Sequence, residues 1–71
     1  MNLRTAEEGR EYVVESISVN DAELEAFLFS LGCYGGEPIV VISRRKSGVT
    51  VAIKDGRYSF DLPLAEAIRV K

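Results

Sequence analysis

The only cysteine of this 71-residue chain, Cys33, lies in the glycine-rich stretch SLGCYGGEP. A thiolate in such a loop can serve as a nucleophile or as a metal ligand. The sequence contains no histidine, so Cys33 and the serines lack the usual general base, and no Ser-Lys spacing stands out. Acidic pairs such as Glu7–Glu8 are explained more simply as solvated surface charges. We therefore predict that the chain is not an enzyme.

A metal site at Cys33 is a weaker alternative. The common zinc sites need several Cys or His ligands, and this sequence offers a single cysteine and no histidine. The only nearby carboxylate is Glu37, so Cys33 and Glu37 are the candidate ligands for weak transition-metal binding. We favour a packing role for Cys33, because free cysteine is among the most buried residue types. No resident cofactor is expected.

The glycines of the same stretch do not match a phosphate-binding loop. A P-loop needs Lys-Ser or Lys-Thr after its last glycine, and the dinucleotide motif G-x-G-x-x-G opens a helix. Here the glycines precede a predicted strand. We interpret Gly32 as the end of a helix and Gly35–Gly36 as a tight turn.

Charge and hydropathy narrow the kinds of partner. Nine basic and eleven acidic residues give a net charge of −2, which argues against a general nucleic-acid binder. The basic run Arg44–Lys46 is predicted at a hairpin tip, where it is either a solvated turn or a site for an acidic surface or lipid headgroups. Without a signal peptide or an apolar run that could span a bilayer, a cytoplasmic protein is expected.

The first half of the chain predicts a strand followed by a helix. Residues 11–19 are rich in Val and Ile and are typical of a strand, with Val13, Ile17 and Val19 on one face. Val14 points the other way, so this strand is either bulged or covered on both faces. Residues 20–32 predict a helix that begins at an Asn20 cap. Its apolar stripe consists of residues at helical spacing, namely Leu24, Phe27, Leu28 and Leu31. Phe29 lies off that stripe, so it is either covered by another segment or exposed for a partner.

The second half of the chain predicts antiparallel β structure. Residues 37–45, 49–54 and 57–62 form a predicted meander, in which Asp55–Gly56 favours a type I′ turn. Residues 63–67 predict one helical turn, and residues 68–71 predict a last short strand. We predict one mainly β domain over residues 1–71. Its architecture is an SH3-like five-stranded antiparallel barrel, with one α-helix after the first strand and a helical turn before the last.

An ordered set of motifs then suggests a family. Leu31–Gly32 is followed by a turn ending at Gly36, then by IVVISRR, a glycine turn, VTVAIKDGRYSFDL and LAEAIRV. This set, from Leu3 to Val70, resembles the FeoA family. The resemblance implies an SH3-like barrel and a non-enzymatic accessory role in bacterial ferrous iron transport, beside FeoB, a membrane permease with a cytosolic GTPase domain. The same barrel forms the C-terminal domain of iron-dependent repressors, so a metal-binding or metal-responsive regulatory domain is the alternative.

Partner contacts are predicted at side chains that are hard to place in one small core. These are Phe29, Tyr34, Arg44, Arg45 and Lys46. Through its partner, the protein is expected at the inner face of the cell membrane. Short strand edges also allow a homodimer by edge pairing.

Overall fold

The computed structural model describes residues 1–71 as a five-stranded sheet with two helices. The elements are, in chain order, β1 (Glu11–Ile17), α1 (Ala22–Leu31), β2 (Pro38–Arg45), β3 (Gly48–Ile53), β4 (Gly56–Asp61), α2 (Leu62–Ala67) and β5 (Ile68–Val70). All strand pairs are antiparallel, in the order β4-β3-β2-β1-β5. This confirms the predicted succession of elements. The sheet curls but stays open between β4 and β5, and α2 connects these two strands along the chain.

Apolar side chains from every strand and from both helices form one core. The alternation predicted for β3 is confirmed, since Val49, Val51 and Ile53 are all buried while the residues between them are only half-buried. Fifteen buried apolar residues belong to a single cluster, and no charged side chain is buried. Apolar packing is therefore what holds this small domain together.

The structure shows a bulge in β1, one of the two alternatives that its sequence left open, so Val13 and Ile17 do not share one face. Tyr12 and Val14 are buried, whereas Val13 is exposed and the strand ends at Ile17. The pairing of β1 with β5 shifts between Val14 and Ser16, as at a β-bulge. One extra residue reverses the inward and outward alternation, so Ile17 turns toward the core although it is out of phase with Val14.

The start of α1 differs from the prediction by one residue. Asp21 is the N-cap, and its carboxylate accepts hydrogen bonds from the N–H groups of Glu23 and Leu24 at 3.0 and 3.2 Å. Asn20 is not the cap. Gly32 ends the helix in the left-handed conformation, with φ 93°, as predicted.

The buried stripe of α1 is narrower than the sequence predicts. Leu28 is fully buried, and Leu24 and Leu31 are half-buried. Phe27 is 53% exposed and so does not belong to the stripe. The buried face of α1 is therefore limited to Leu24, Leu28 and Leu31.

The turn between β3 and β4 is centred on Lys54–Asp55 and not on Asp55–Gly56. Ile53 pairs with Gly56, and Lys54 is the only residue of this turn with a positive φ, of 52°. The predicted type I′ turn at Asp55–Gly56 is therefore wrong. A Cβ at Gly56 would overlap the Tyr58 hydroxyl, so the Tyr58 ring would have to move to admit one.

The N-terminal residues cover the outer edge of β5. The Leu3 N–H donates to the Ile68 carbonyl at 3.1 Å, and Met1 accepts from the Val70 N–H at 2.9 Å. The outer edge of β4 has no such cover, so the predicted edge-to-edge homodimer concerns β4. None of the helices combines the length and the apolar character needed to cross a membrane.

Candidate functional site

A groove opens between α1, the end of β1 and the loop of residues 33–36. Its volume is about 540 Å³. It is lined mostly by apolar side chains, and we call it the α1–β1 groove: Ile17, Ala22, Glu25, Ala26, Phe29, Cys33, Tyr34 and Gly35. Glu25 is the only charged residue in this lining. The groove therefore offers an apolar surface with one negative charge on its wall.

Phe29 and Tyr34 form a stacked aromatic pair at this groove. Their ring centroids are 4.6 Å apart and the rings are inclined by 27°. Phe29 remains 63% exposed, although Tyr34 covers one of its faces. Both residues were predicted as partner contacts from sequence. The structure brings these two together, a contact that the sequence did not predict.

The loop that carries Tyr34 is held by backbone hydrogen bonds. Left-handed Gly32 turns the chain back beneath the helix, and the Cys33 N–H donates to the Leu28 carbonyl at 2.9 Å. The Gly36 N–H donates to the Val14 carbonyl at 2.8 Å, and the Val14 N–H donates to the Glu37 carbonyl at 2.9 Å. These bonds fix the loop to both α1 and β1, and so fix the position of the Tyr34 ring.

Cys33 lies beneath the floor of the groove, inside the core. Its side chain is fully buried, and burial raises the pKa of the thiol to about 11. At neutral pH the group is therefore a protonated thiol, which is a poor nucleophile and a poor metal ligand. This environment supports the packing role that we favoured from sequence.

Glu37, the second candidate ligand, is engaged by a lysine. The Lys54 ammonium donates to the Glu37 carboxylate at 2.8 Å. This bond, with a smaller contribution from the Tyr34 hydroxyl, lowers the pKa of Glu37, and Glu37 in turn raises the pKa of Lys54. No three His, Cys, Asp or Glu side chains lie close enough together to hold a metal ion.

The structure separates the predicted basic cluster into two parts. The backbone N–H of Arg44 donates to the Glu8 carboxylate at 2.6 Å, and its guanidinium donates to the Arg4 carbonyl. Arg44 thus joins β2 to the N-terminal segment. Arg45 and Lys46 are exposed at the turn between β2 and β3 and form no ion pair. None of the three basic residues lines the α1–β1 groove.

Sequence reasoning missed the helical wall of the groove. Ala22 and Ala26 lie one turn apart on α1, with Glu25 beside them. Small residues at i and i+4, away from the Leu stripe, were the signal that could have indicated a second, recessed helix face. The strand wall at Ile17 could not have been found this way, because it depends on the β1 bulge.

A model of the FeoA domain matches residues 1–71 of the chain. The chain belongs to the FeoA family. A search of curated proteins gave no significant match. Solved structures of the same fold include an iron uptake regulatory protein, FeoA, with a TM-score of 0.86 and 21% identity, covering 100% of this chain and 95% of that one. Another is FeoA of Stenotrophomonas maltophilia, described as a procaryotic SH3 domain protein complexed with zinc. Its TM-score is 0.85 and its identity 21%, and the match covers 100% of this chain and 89% of that one.

A manganese-dependent transcriptional repressor also contains this fold. The TM-score is 0.85 with 26% identity over 99% of this FeoA-family chain. The chain spans 40% of that repressor's length. Together these neighbours confirm the predicted SH3-like fold. They also show that one architecture occurs both in small FeoA proteins and as part of larger regulators.

Proposed function

We propose that this protein is a non-enzymatic accessory protein of ferrous iron transport. It binds the cytosolic part of a FeoB-type permease that carries a GTPase domain, and this partner holds it at the inner face of the membrane. Membership of the FeoA family supports this role. The absence of a histidine and the protonated state of the buried Cys33 thiol make a catalytic role unattractive.

The exposed stack of Phe29 on Tyr34 is the observation that carries the proposal. Aromatic residues are enriched among the residues that contribute most of the binding energy at protein interfaces. An exposed aromatic ring leaves a large apolar area in water, and a partner that covers it buries this area. The loop beneath the stack is fixed by backbone hydrogen bonds, so little order has to be gained on binding. Arg45 and Lys46, free of ion pairs, provide a second contact for an acidic surface of the same partner.

The α1 helix offers a matched pair of variants for the test. Phe29 and Phe27 are both exposed phenylalanines on this helix, at 63% and 53%, but only Phe29 stacks on Tyr34 and lines the groove. Binding of the purified protein should be measured by biolayer interferometry against the immobilised full-length permease in nanodiscs and against its isolated GTPase domain. We expect Phe29→Ala to weaken binding about tenfold or more and Phe27→Ala to change it little.

Circular dichroism must show that each variant is folded. Double substitution of Arg45 and Lys46 by glutamate should mainly slow association and reduce its salt dependence. If the folded protein binds neither the permease nor its GTPase domain, the proposal is wrong. If Phe29→Ala and Phe27→Ala lose the same binding affinity, the aromatic stack is not a specific part of the interface.

A metal-responsive role is the second candidate, favoured by the likeness to the manganese-dependent repressor. Its test is calorimetry with Fe²⁺, Mn²⁺ and Zn²⁺ on the wild-type protein, on Cys33→Ala and on Glu37→Gln. A stoichiometric site that is lost in either variant supports this candidate. The buried thiol and the Lys54–Glu37 ion pair both oppose it, and the accessory role that we propose needs no resident metal.

A further inference from the structure

We propose that the α1–β1 groove receives a short basic segment that inserts one apolar side chain. The occupant is a stretch of a partner protein in which a Leu-like or Phe-like residue is flanked by Lys or Arg. This inference deepens the proposed function and rests on it for the kind of partner. The lining and the charge of the groove define the chemistry of this occupant.

The apolar part of the groove sets the first requirement. Small side chains, Ala22 and Ala26, form the helical wall, and Ile17 forms the strand wall. The Phe29–Tyr34 stack closes one end, and the protonated Cys33 thiol beneath the floor adds no charge. Such a recess accommodates an aliphatic or aromatic side chain, because six of its eight lining residues are hydrophobic.

The charge of α1 sets the second requirement. From Ala22 to Leu31 the helix contains Glu23 and Glu25 and no basic residue, and Asp21 precedes it as the cap. The helix N-terminus contributes about half a positive charge, which is too little to neutralise three carboxylates.

The acidic residues of α1 and its cap have no counter-charge within the chain. Each ion pair of the domain uses an acidic residue elsewhere, namely Glu7, Glu15, Glu37 or Glu66. Glu25 has no ionic partner within the chain, although it lies on the wall of the groove. A Lys or Arg of the partner supplies the missing charge, whereas an acidic segment is repelled.

Two synthetic peptides of opposite charge test the proposal without any knowledge of the natural partner. One alternates leucine with lysine, and its counterpart carries glutamate at each lysine position. The ¹⁵N-labelled full chain is titrated with each peptide, and amide shifts are followed by NMR. We expect the leucine–lysine peptide to shift the amides of Ala22, Ala26, Phe29 and Gly35, and the leucine–glutamate peptide to shift none of them.

Variants on the same helix separate the groove from general attraction. Glu25→Lys should weaken the leucine–lysine peptide about fivefold, as expected for reversing one exposed charge at the binding site. Glu23→Lys makes the same change of charge outside the groove lining, so its effect should be clearly smaller. Ala26→Trp fills the recess and should also weaken binding, while leaving the charge unchanged.

The outcomes decide between the alternatives. The inference is overturned if both peptides bind equally, if the shifts fall outside the groove, or if Glu23→Lys weakens binding as much as Glu25→Lys. Permease binding that resists both Glu25→Lys and Ala26→Trp would leave the proposed function standing and overturn the groove as its docking site. Peptide binding at the groove without any permease binding would support the chemistry assigned to the groove and overturn the proposed function.

Discussion

Replacing Gly32 by alanine tests how the groove loop is held in place. Gly32 has φ 93°, a conformation that costs a residue with a Cβ about 1–2 kcal/mol. A Cβ at this position would also lie 2.6 Å from Lys54 Cε and 3.3 Å from Ile53 Cγ2. Lys54 must therefore move, and its ammonium then leaves the Glu37 carboxylate.

Gly36 provides a matched control for this experiment. It has the same φ of 93°, but no atom lies within 4 Å of the point that a Cβ would occupy there. Gly36→Ala should therefore show the backbone cost alone, which corresponds to a fall in Tm of about 5 to 15 °C for a domain of this size. Gly32→Ala should show this fall and, in addition, the displacement of Lys54.

Thermal and urea unfolding measure the two stabilities, and NMR titration of the Glu37 carboxyl reports on Lys54. We expect Gly32→Ala to be the less stable variant and to bring the pKa of Glu37 back up toward its ordinary value of 4.5. Gly36→Ala should leave that pKa low. A double-mutant cycle with Lys54→Ala should remove the extra cost of Gly32→Ala. Equal stabilities of the two alanine variants, or an unchanged Glu37 pKa in Gly32→Ala, would refute this account of the loop.

Three further predictions concern the buried thiol, the β3–β4 hairpin and the pH dependence of stability. Cys33 should resist modification by a thiol reagent at pH 8 until the protein unfolds, and Cys33→Ser should destabilise it by about 1–3 kcal/mol in urea unfolding because it buries a hydroxyl. Gly48→Ala should abolish cooperative unfolding, since its Cβ would overlap the Phe60 carbonyl across the β3–β4 pair. The Glu37–Lys54 pair should contribute fully to stability above pH 4.5 and below pH 10.5. The contribution should be lost as pH falls through the lowered Glu37 pKa, and also as pH rises through the raised Lys54 pKa. Glu37→Gln should reduce the change in unfolding free energy in both the acidic and the alkaline range.

Local signals in the sequence were sufficient for most of the fold. The alternation of Val49, Val51 and Ile53 has a period of two with no competing pattern, so the face of β3 could be predicted. Gly32 follows directly on an apolar helical stripe, and its left-handed conformation satisfies the helix end. In each case the local structure is determined by a few residues that are neighbours in the sequence.

The errors arose where a distant segment decides the outcome. The β1 bulge depends on pairing with β5, more than fifty residues away along the chain, and it turns Ile17 toward the core although Val13, predicted on the same face, is exposed. The sequence alone places Arg44 in an exposed basic tip, but its guanidinium binds a carbonyl of the N-terminal segment. Phe29 and Tyr34 are close together in the sequence, yet their stacking depends on the sharp reversal of the chain at Gly32. Such contacts leave no periodic signal.

The Lys54–Glu37 pair bridges the two ends of the loop that forms one side of the α1–β1 groove. The alkyl chain of Lys54 lies over Gly32, and its ammonium binds Glu37, so a residue of the β3–β4 turn connects both ends of the loop that carries Tyr34. The loop is thereby fixed before any partner arrives, which lowers the ordering cost of binding. If the groove works in this way, loosening the pair should weaken binding at Phe29 and Tyr34 although neither Lys54 nor Glu37 lines the groove. Lys54→Ala should therefore reduce affinity for the leucine–lysine peptide by raising its dissociation rate, whereas an effect of charge alone would raise the association rate, because the variant removes a positive charge that repels this basic peptide.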